Sequence, residues 1–289
     1  MMQDPVCGMK LDKKEKIKHV YNKKTYYFCS KDCKDEFKKN PKKFLKETPV
    51  IELRDIYKDY HLGETRLRVL KDLSMNIWEG DFVVLIGVSG SGKSTVMNLI
   101  GCLDTPTKGK VYIDGKEVSK MSEDRLANIR NEKIGFVFQQ FNLLGALNCR
   151  ENVSLPLFFK KGSKAFKPDG KVKKYLKSVG LLERAEHKPL EMSGGEQQRA
   201  AIARALVDEP EVILADEPTG NLDSKTGKMI MRILEDLNEK GKTIIVVTHD
   251  PSISKAATRI MNLKDGRLIG NHKNIIKIIW SNKNNNSKK

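Results

Sequence analysis

Three glycines, a lysine and a serine are set out in the run Gly87-Val88-Ser89-Gly90-Ser91-Gly92-Lys93-Ser94-Thr95. The spacing G-x-x-x-x-G-K-S is that of a loop that cradles phosphates with its backbone N–H groups. Gly87, Gly90 and Gly92 let the chain turn tightly and come close to phosphate oxygens. Lys93 supplies a point charge for the β- and γ-phosphates, and the Ser94 hydroxyl is a ligand for Mg²⁺. Before the loop, Phe82–Ile86 is apolar and reads as a buried strand, and after it Thr95–Ile100 reads as a helix. A strand feeding a glycine loop that opens a helix aims N–H groups and the positive helix end at one anion.

Further groups suited to the same chemistry follow along the chain. Val212–Ala215 is an apolar strand ending in Asp216 and Glu217. Asp216 is placed to hold Mg²⁺ through water, and Glu217 to polarise an attacking water. Ser193-Gly194-Gly195-Glu196 is a second glycine turn opening a helix, and so a second anion site. Gln139, after the strand Gly135–Phe138, is placed to sense the γ-phosphate or the metal. Asn221-Leu222-Asp223 follows the carboxylate strand. His249 ends the strand Ile244–Thr248 and reaches toward the γ-phosphate. A different chemistry is suggested by Cys7, Cys29 and Cys33, three of five cysteines, gathered in the first 33 residues. Such clustering points to metal binding rather than to disulfides. Cys102 and Cys149 sit in apolar or loop surroundings and read as packing.

The elements that must position these groups are those of a mainly parallel sheet flanked by helices. Strands near 82–86, 134–138, 212–215 and 243–247 alternate with helices near 93–101, 195–207 and 225–240. Residues 151–192 interrupt the alternation with helical, lysine-rich sequence. A break falls near Thr48-Pro49, after which Val50–Leu53 starts a new strand. Residues 1–49 carry 14 Lys against 7 Asp and Glu, a net of +7 within a chain total of +17. No array of stacking aromatics accompanies the lysines, so a basic surface is expected and a nucleic-acid partner is not. No apolar run approaches the roughly 20 residues of a membrane span. A cytosolic chain, reaching a membrane only through a partner, is expected.

In type, order and spacing these motifs resemble the ATP-binding cassette (ABC) ATPases over residues 50–270. The resemblance implies Gly87–Ser94 as Walker A, Gln139 as the Q-loop and Ser193–Gln197 as the signature. It further implies Val212–Asp216 as Walker B, Glu217 as catalytic base, Asn221–Asp223 as D-loop and His249 as switch histidine. Lys93, Glu217 and His249 would then be catalytic. Tyr60 resembles the aromatic that stacks on adenine, with Tyr57 as the competitor. The stretches Asn98–Asp104, Phe138–Leu144, Glu151-Asn152-Val153 and Gly220–Ser224 are similar to the macrolide-exporter and lipoprotein-release branch. Met192 and Glu196 depart from the usual Leu and Gln, and Gly145, Asn148 and Cys149 depart in the loop after Gln139.

Residues 3–46 resemble the YHS domain, a relative of TRASH-type metal-binding modules. The resemblance is carried by Asp4–Met9, Tyr26–Cys33, Phe37 and Pro41–Leu45. Thiolates of Cys7, Cys29 and Cys33 suit Cu(I) or Zn²⁺. Cys29 and Cys33 are read as one helical turn apart, and His19 is an open candidate for a fourth ligand.

The expected architecture is therefore an α/β P-loop fold with a helical subdomain inserted at about 151–192. A small Cys-containing α+β module precedes it, and a basic polar tail follows at 271–289. The resemblance implies an ATP- and Mg²⁺-dependent ATPase working as a nucleotide-sandwich homodimer at the cytoplasmic face of a membrane. Its partner would be an integral permease with a large extracytoplasmic domain, met through Phe141, Leu143, Leu144 and Leu147 and the insert, for export or extraction. The alternatives are a soluble ABC ATPase without a permease and an ATPase controlled by metal at its N-terminal module.

Overall fold

The structure, a computed structural model, describes residues 2–7, 9–11, 17–21, 24–39, 41, 48–159 and 169–273. The expected tail beyond residue 273 and the 42–46 end of the small module lie outside them. Chain contacts divide the molecule into Met1–Thr48 and Pro49–Lys289.

In the small unit β1 (Met2–Gln3) pairs antiparallel with β2 (Lys10–Leu11), and β3 (Ile17–Tyr21) with β4 (Lys24–Phe28). Helix α1 (Lys31–Lys39) follows. Its Phe37 is fully buried and meets the rings of Phe28, Tyr26, Tyr21 and His19 at centroid distances of 5.1, 5.1, 5.9 and 6.2 Å. His19 therefore serves this aromatic cluster.

The large unit is built on a six-stranded sheet in the order β10-β11-β12-β7-β13-β14. These strands are β10 (Ile134–Val137), β11 (Val212–Asp216), β12 (Thr243–Thr248), β7 (Phe82–Ile86), β13 (Arg259–Lys264) and β14 (Arg267–Lys273). All pairs are parallel except β13–β14. Successive residues of a strand point to opposite faces, and here both faces are covered. Val83, Leu85, Val212, Leu214, Ile245 and Val247 pack into one buried cluster, with α2 (Lys93–Ile100). Phe82, Val84, Ile213, Ala215, Ile244 and Val246 pack into the other, with α4 (Cys149–Phe158), α5 (Asp169–Ser178), α6 (Gly194–Leu206) and α7 (Ser224–Glu239). Burial on both faces explains why these strands read as unbroken apolar runs.

The sequence did not disclose a second, antiparallel sheet in the order β6-β5-β8-β9. It is made by β5 (Ile51–Leu62), β6 (Thr65–Ile77), β8 (Lys108–Ile113) and β9 (Lys116–Glu117). The β5–β6 register shifts between Leu53 and Asp59, and Asp55 and Asp72 have φ of +50° and +55°. Bulges of this kind break the period of two on which a strand is recognised. Helix α3 (Glu123–Lys133) was also unforeseen. Between 151 and 192 the described residues contain helices and no strand. The last strand continues to Lys273, three residues into the stretch expected to be tail.

Candidate functional site

Parallel strands deliver their functional residues to one edge, the carboxyl ends, where such sheets bind ligands. Gly87 follows β7, Gln139 lies two residues beyond β10, Asp216 and Glu217 stand at the end of β11, and His249 follows β12. A cavity of about 1140 Å³ opens there. Its walls include Gly87–Gly90 and Gly92–Thr95 of the loop, together with Glu217 and His249.

The loop's shape depends on its glycines. Gly92 has φ of +103°, and a Cβ there would stand 2.8 Å from Leu70 Cδ2. A Cβ on Gly87 would run into the Leu263 carbonyl. No side chain caps the first turn of α2, which leaves its N–H groups for an anion. Lys93 is 9% exposed, and its ammonium donates to the carbonyls of Gly87 (2.8 Å) and Val88 (3.0 Å). The loop is thereby folded around the charge that is to meet phosphate. Ser91 is buried with the loop, whereas the Ser94 side chain is exposed.

Glu217 is held more tightly than a surface carboxylate. Its φ is +42°, in the left-handed region where a non-glycine residue costs about 1–3 kcal/mol. Its N–H donates to the Val247 carbonyl at 2.9 Å. One carboxylate oxygen accepts from the Thr248 hydroxyl at 2.8 Å. The other accepts from the His249 N–H at 2.9 Å and lies 2.6 Å from His249 Nδ1. Neighbouring Asp216 is half-buried. Burial and the charge of Glu217 push its carboxyl above the usual range, and Lys93 opposes them. The Ser94 hydroxyl, the Asp216 carboxylate and the Gln139 amide oxygen are hard-oxygen donors of the kind Mg²⁺ takes. The Gln139 amide here donates to Asn221 Oδ1 at 3.2 Å, and Asn221 Nδ2 donates to the Gln139 carbonyl at 3.0 Å.

Ser193, Gly194, Gly195, Glu196 and Asp223 lie outside the cavity walls, at the starts of two helices. Ser193 caps α6 in a reciprocal box: it accepts from the Glu196 N–H at 3.3 Å and returns its own N–H to Glu196 Oε2 at 2.8 Å. That bond, chiefly, holds the Glu196 carboxyl below its usual value, and Arg184 pairs with it at 3.2 Å. The Glu at this position is thus a capping residue. Asp223 caps α7, accepting from the N–H groups of Lys225 (2.9 Å) and Thr226 (3.0 Å). A Cβ on Gly195 would meet Thr226 Cγ2 at 2.5 Å, so the two turns pack together. Tyr60 lies across the β5–β6 ladder from Leu67, which lines the cavity, and is not itself a lining residue. Its hydroxyl donates to Asp104 at 2.9 Å, and the Lys58 ammonium sits 4.8 Å from its ring.

The four apolar residues expected to face a permease differ in their exposure. Leu143 packs against the core, Phe141 comes close to Gly194, and Leu147 is half-buried. Only Leu144 is exposed, at 52%, and Phe158 and Phe159 at the far end of α4 join it, at 64% and 75%. The loop they follow is organised by Asn152, which is fully buried. It accepts from Leu144 N–H at 2.7 Å and donates to the carbonyls of Leu144 (3.1 Å), Leu147 (3.1 Å) and Asn148 (3.0 Å). Cys102 and Cys149 are buried in the two clusters, as expected of packing residues.

In the small unit, Cys7, Cys29 and Cys33 come together. Cys7 Sγ lies 3.5 Å from Cys29 Sγ, which lies 3.7 Å from Cys33 Sγ. Cys29 belongs to the turn before α1 and only Cys33 to the helix, so the two are not spaced by a helical turn. The fourth member of the cluster is Asp4, not His19. Asp4 accepts from Val6 N–H (2.8 Å), Cys7 N–H (3.4 Å) and Cys29 N–H (2.7 Å). Burial raises its carboxyl, but these bonds outweigh that and leave it below the usual value. Asp4, chiefly, pushes the Cys29 thiol up to about 12. The sequence signal was an Asp three residues before a Cys, with no spacing rule to single it out.

Residues 70–220 match the model of the ABC transporter family, and residues 2–48 that of the YHS domain. An ABC transporter ATP-binding protein of Thermotoga maritima is 51% identical over 76% of this chain and 94% of its own length. The macrolide export ATP-binding/permease protein MacB of Bdellovibrio bacteriovorus is 50% identical over 75% of this chain. This chain spans 33% of that protein's length. The cassette MJ0796, solved as a dimer bound to ADP and Pi, superposes with a TM-score of 0.72 at 49% identity, covering 77% of this chain and 98% of that one.

Proposed function

The chain belongs to the ABC transporter family of ATP-binding, ATP-hydrolysing subunits, and from that premise we propose the following division of labour. The P-loop Gly87–Ser94 binds the phosphates of ATP, with Lys93 turning from its own loop carbonyls to the β- and γ-phosphates. Ser94, Asp216 and Gln139 hold Mg²⁺, which when bound neutralises developing phosphate charge. Glu217 orients and polarises the attacking water, and His249 steadies Glu217 and faces the γ-phosphate. Tyr60 supports the adenine. The observation that carries this reading is the carboxylate of Glu217, pinned between Thr248 and His249 at the wall of the P-loop cavity.

Ser193–Glu196 and Asp223 form their own group apart from the cavity, so a complete site needs a second copy. The dimer reported for MJ0796 supports the same arrangement here. The partner we propose is a separate permease of the MacB kind, bearing a large extracytoplasmic domain. It docks on Leu144, Phe158 and Phe159 at the cytoplasmic face of the membrane, for export or extraction. No helix among the described residues is long and apolar enough to cross a membrane. The small module binds a thiophilic metal through Cys7, Cys29 and Cys33.

The test is light scattering on Glu217→Gln with ATP and Mg²⁺, followed by purification from native membranes in mild detergent. Dimerisation with ATP and recovery of a permease are expected. A monomer at saturating ATP that stays monomeric with permease present sinks the shared site. Recovery without any membrane protein favours the soluble ATPase.

A further inference from the structure

Resting on the metal reading of the small module, we propose that Asp4 is the fourth ligand of a tetrahedral site completed by Cys7, Cys29 and Cys33. Its oxygen makes that site one for Zn²⁺ rather than Cu⁺.

The first support is spacing. One ligand atom from each of the four residues lies within 4.8 Å of all the others. The sulfur separations of 3.5 and 3.7 Å are close to the edge of a tetrahedron with Zn–S bonds of about 2.3 Å, which is about 3.8 Å.

The second support is the state of Asp4 itself. It is 1% exposed, and among the described residues it makes no ion pair. Three N–H donors offset the cost of burying the carboxylate, and a dication between it and three sulfurs supplies a counter-charge. Each carboxylate oxygen has two lone-pair sites. Among the described residues, Oδ1 takes the N–H groups of Val6 and Cys7 and Oδ2 that of Cys29, and the carboxylate also faces the Cys29 thiol, whose proton a metal would displace. The N–H bonds then do what outer-sphere bonds do for ligating carboxylates: they fix the direction in which the carboxylate faces the thiols. They also fix the backbone of two cysteines, so one side chain sets the positions of half the site.

The third support is donor chemistry. Sulfur alone suits Cu⁺, whereas a carboxylate oxygen adds affinity for a borderline dication and little for a soft monovalent ion. His19, the other candidate for the fourth place, is packed edge-on to Phe37.

The experiment uses the full reduced chain and its Asp4→Asn and Asp4→Ala variants, titrated with Zn²⁺, Co²⁺ and Cu⁺ against competing chelators. Wild type is expected to take one Zn²⁺ and to give a Co²⁺ adduct with tetrahedral ligand-field bands and sulfur charge transfer. X-ray absorption should find three sulfurs and one oxygen from protein around Zn²⁺. Asp4→Asn should lose about 100-fold or more in Zn²⁺ affinity, at or beyond the upper end of an outer-sphere effect, while Cu⁺ affinity moves less than threefold. The Cu⁺ arm reports whether the three thiols are still gathered. Equal losses for both ions mean that Asp4 only scaffolds the turn, and overturn the proposal. So does unchanged Zn²⁺ affinity, or a fourth ligand that persists in Asp4→Ala. A chain that binds Cu⁺ alone, indifferent to Asp4, keeps the three-cysteine reading and loses this one. A chain that binds neither ion loses both.

Discussion

In the cassette, two clusters of buried side chains clamp a mostly parallel sheet from both faces, and the functional loops hang from its strand ends. Among the described residues of 2–48 the fully buried hydrophobic side chains are Phe28 and Phe37, and two of the three cysteines are aligned by N–H bonds to a single buried carboxylate. The first region can spend stability on a strained residue such as Glu217, because a core over-determines its position. The second has little core to spend, and small units of that kind depend on staples such as bound metal. The contrast teaches where damage should spread: locally in the cassette, globally in the module.

The sharpest blow to the cassette is chemical and leaves its packing alone. Glu217→Gln should lower ATP turnover by about 10²–10⁴-fold, the range of a lost general base, with ATP binding retained. Phosphate release and nucleotide binding measured together check this. Undiminished turnover removes Glu217 from the base role.

The cassette also has one point built in the module's manner, and striking it asks whether core packing contains the harm. Asn152→Ala removes four side-chain hydrogen bonds to the half-buried backbone of the 144–148 loop and should cost about 1–3 kcal/mol. Hydrogen exchange should show loosening confined to that loop and α4, with P-loop nucleotide affinity within about twofold, since the site hangs from other strands. Spread of the loosening through the sheet would erase the comparison.

The reverse test is the pair Cys29→Ser and Cys33→Ser. Residues 2–39 should lose exchange protection as a block, since small metal-stapled units fold with their metal, while ATP hydrolysis changes by less than about twofold. Hydrogen exchange and phosphate release on the same sample decide it.

The smallest expected effect concerns charge. Asp59 is nearly buried on β5, and Arg68 and Arg66 hold its carboxyl at about 2. A depressed carboxyl contributes stability that is present above its unfolded value and lost as pH falls through the folded one. Urea midpoints of wild type and Asp59→Asn should therefore differ most above about pH 4 and converge near pH 2. A gap that persists at pH 2 would assign the effect to packing.

Much of the cassette was legible because its signals are local and redundant. The apolar runs Phe82–Ile86, Val212–Asp216 and Thr243–Thr248 and the glycine loop each announce their own place. The β5–β6 hairpin was not legible beyond its start, since bulges at Asp55 and Asp72 interrupt its alternation. At the candidate site the sequence named Glu217 and His249 but not Thr248, whose hydroxyl contact depends on strand register. It named three cysteines as ligands and Asp4 only within the Asp4–Met9 stretch, since the carboxylate meets Cys29 across 25 residues of chain.

Asn152 carries a mechanical meaning beyond its bonds. By gripping Leu144, Leu147 and Asn148 at once, it makes the loop and α4 a single lever with no slack of its own. A push on Leu144 is then delivered to the helix rather than absorbed by the loop. Compliance has to come from elsewhere, and the paired amides of Gln139 and Asn221, two exposed bonds between two turns, are the softer joint.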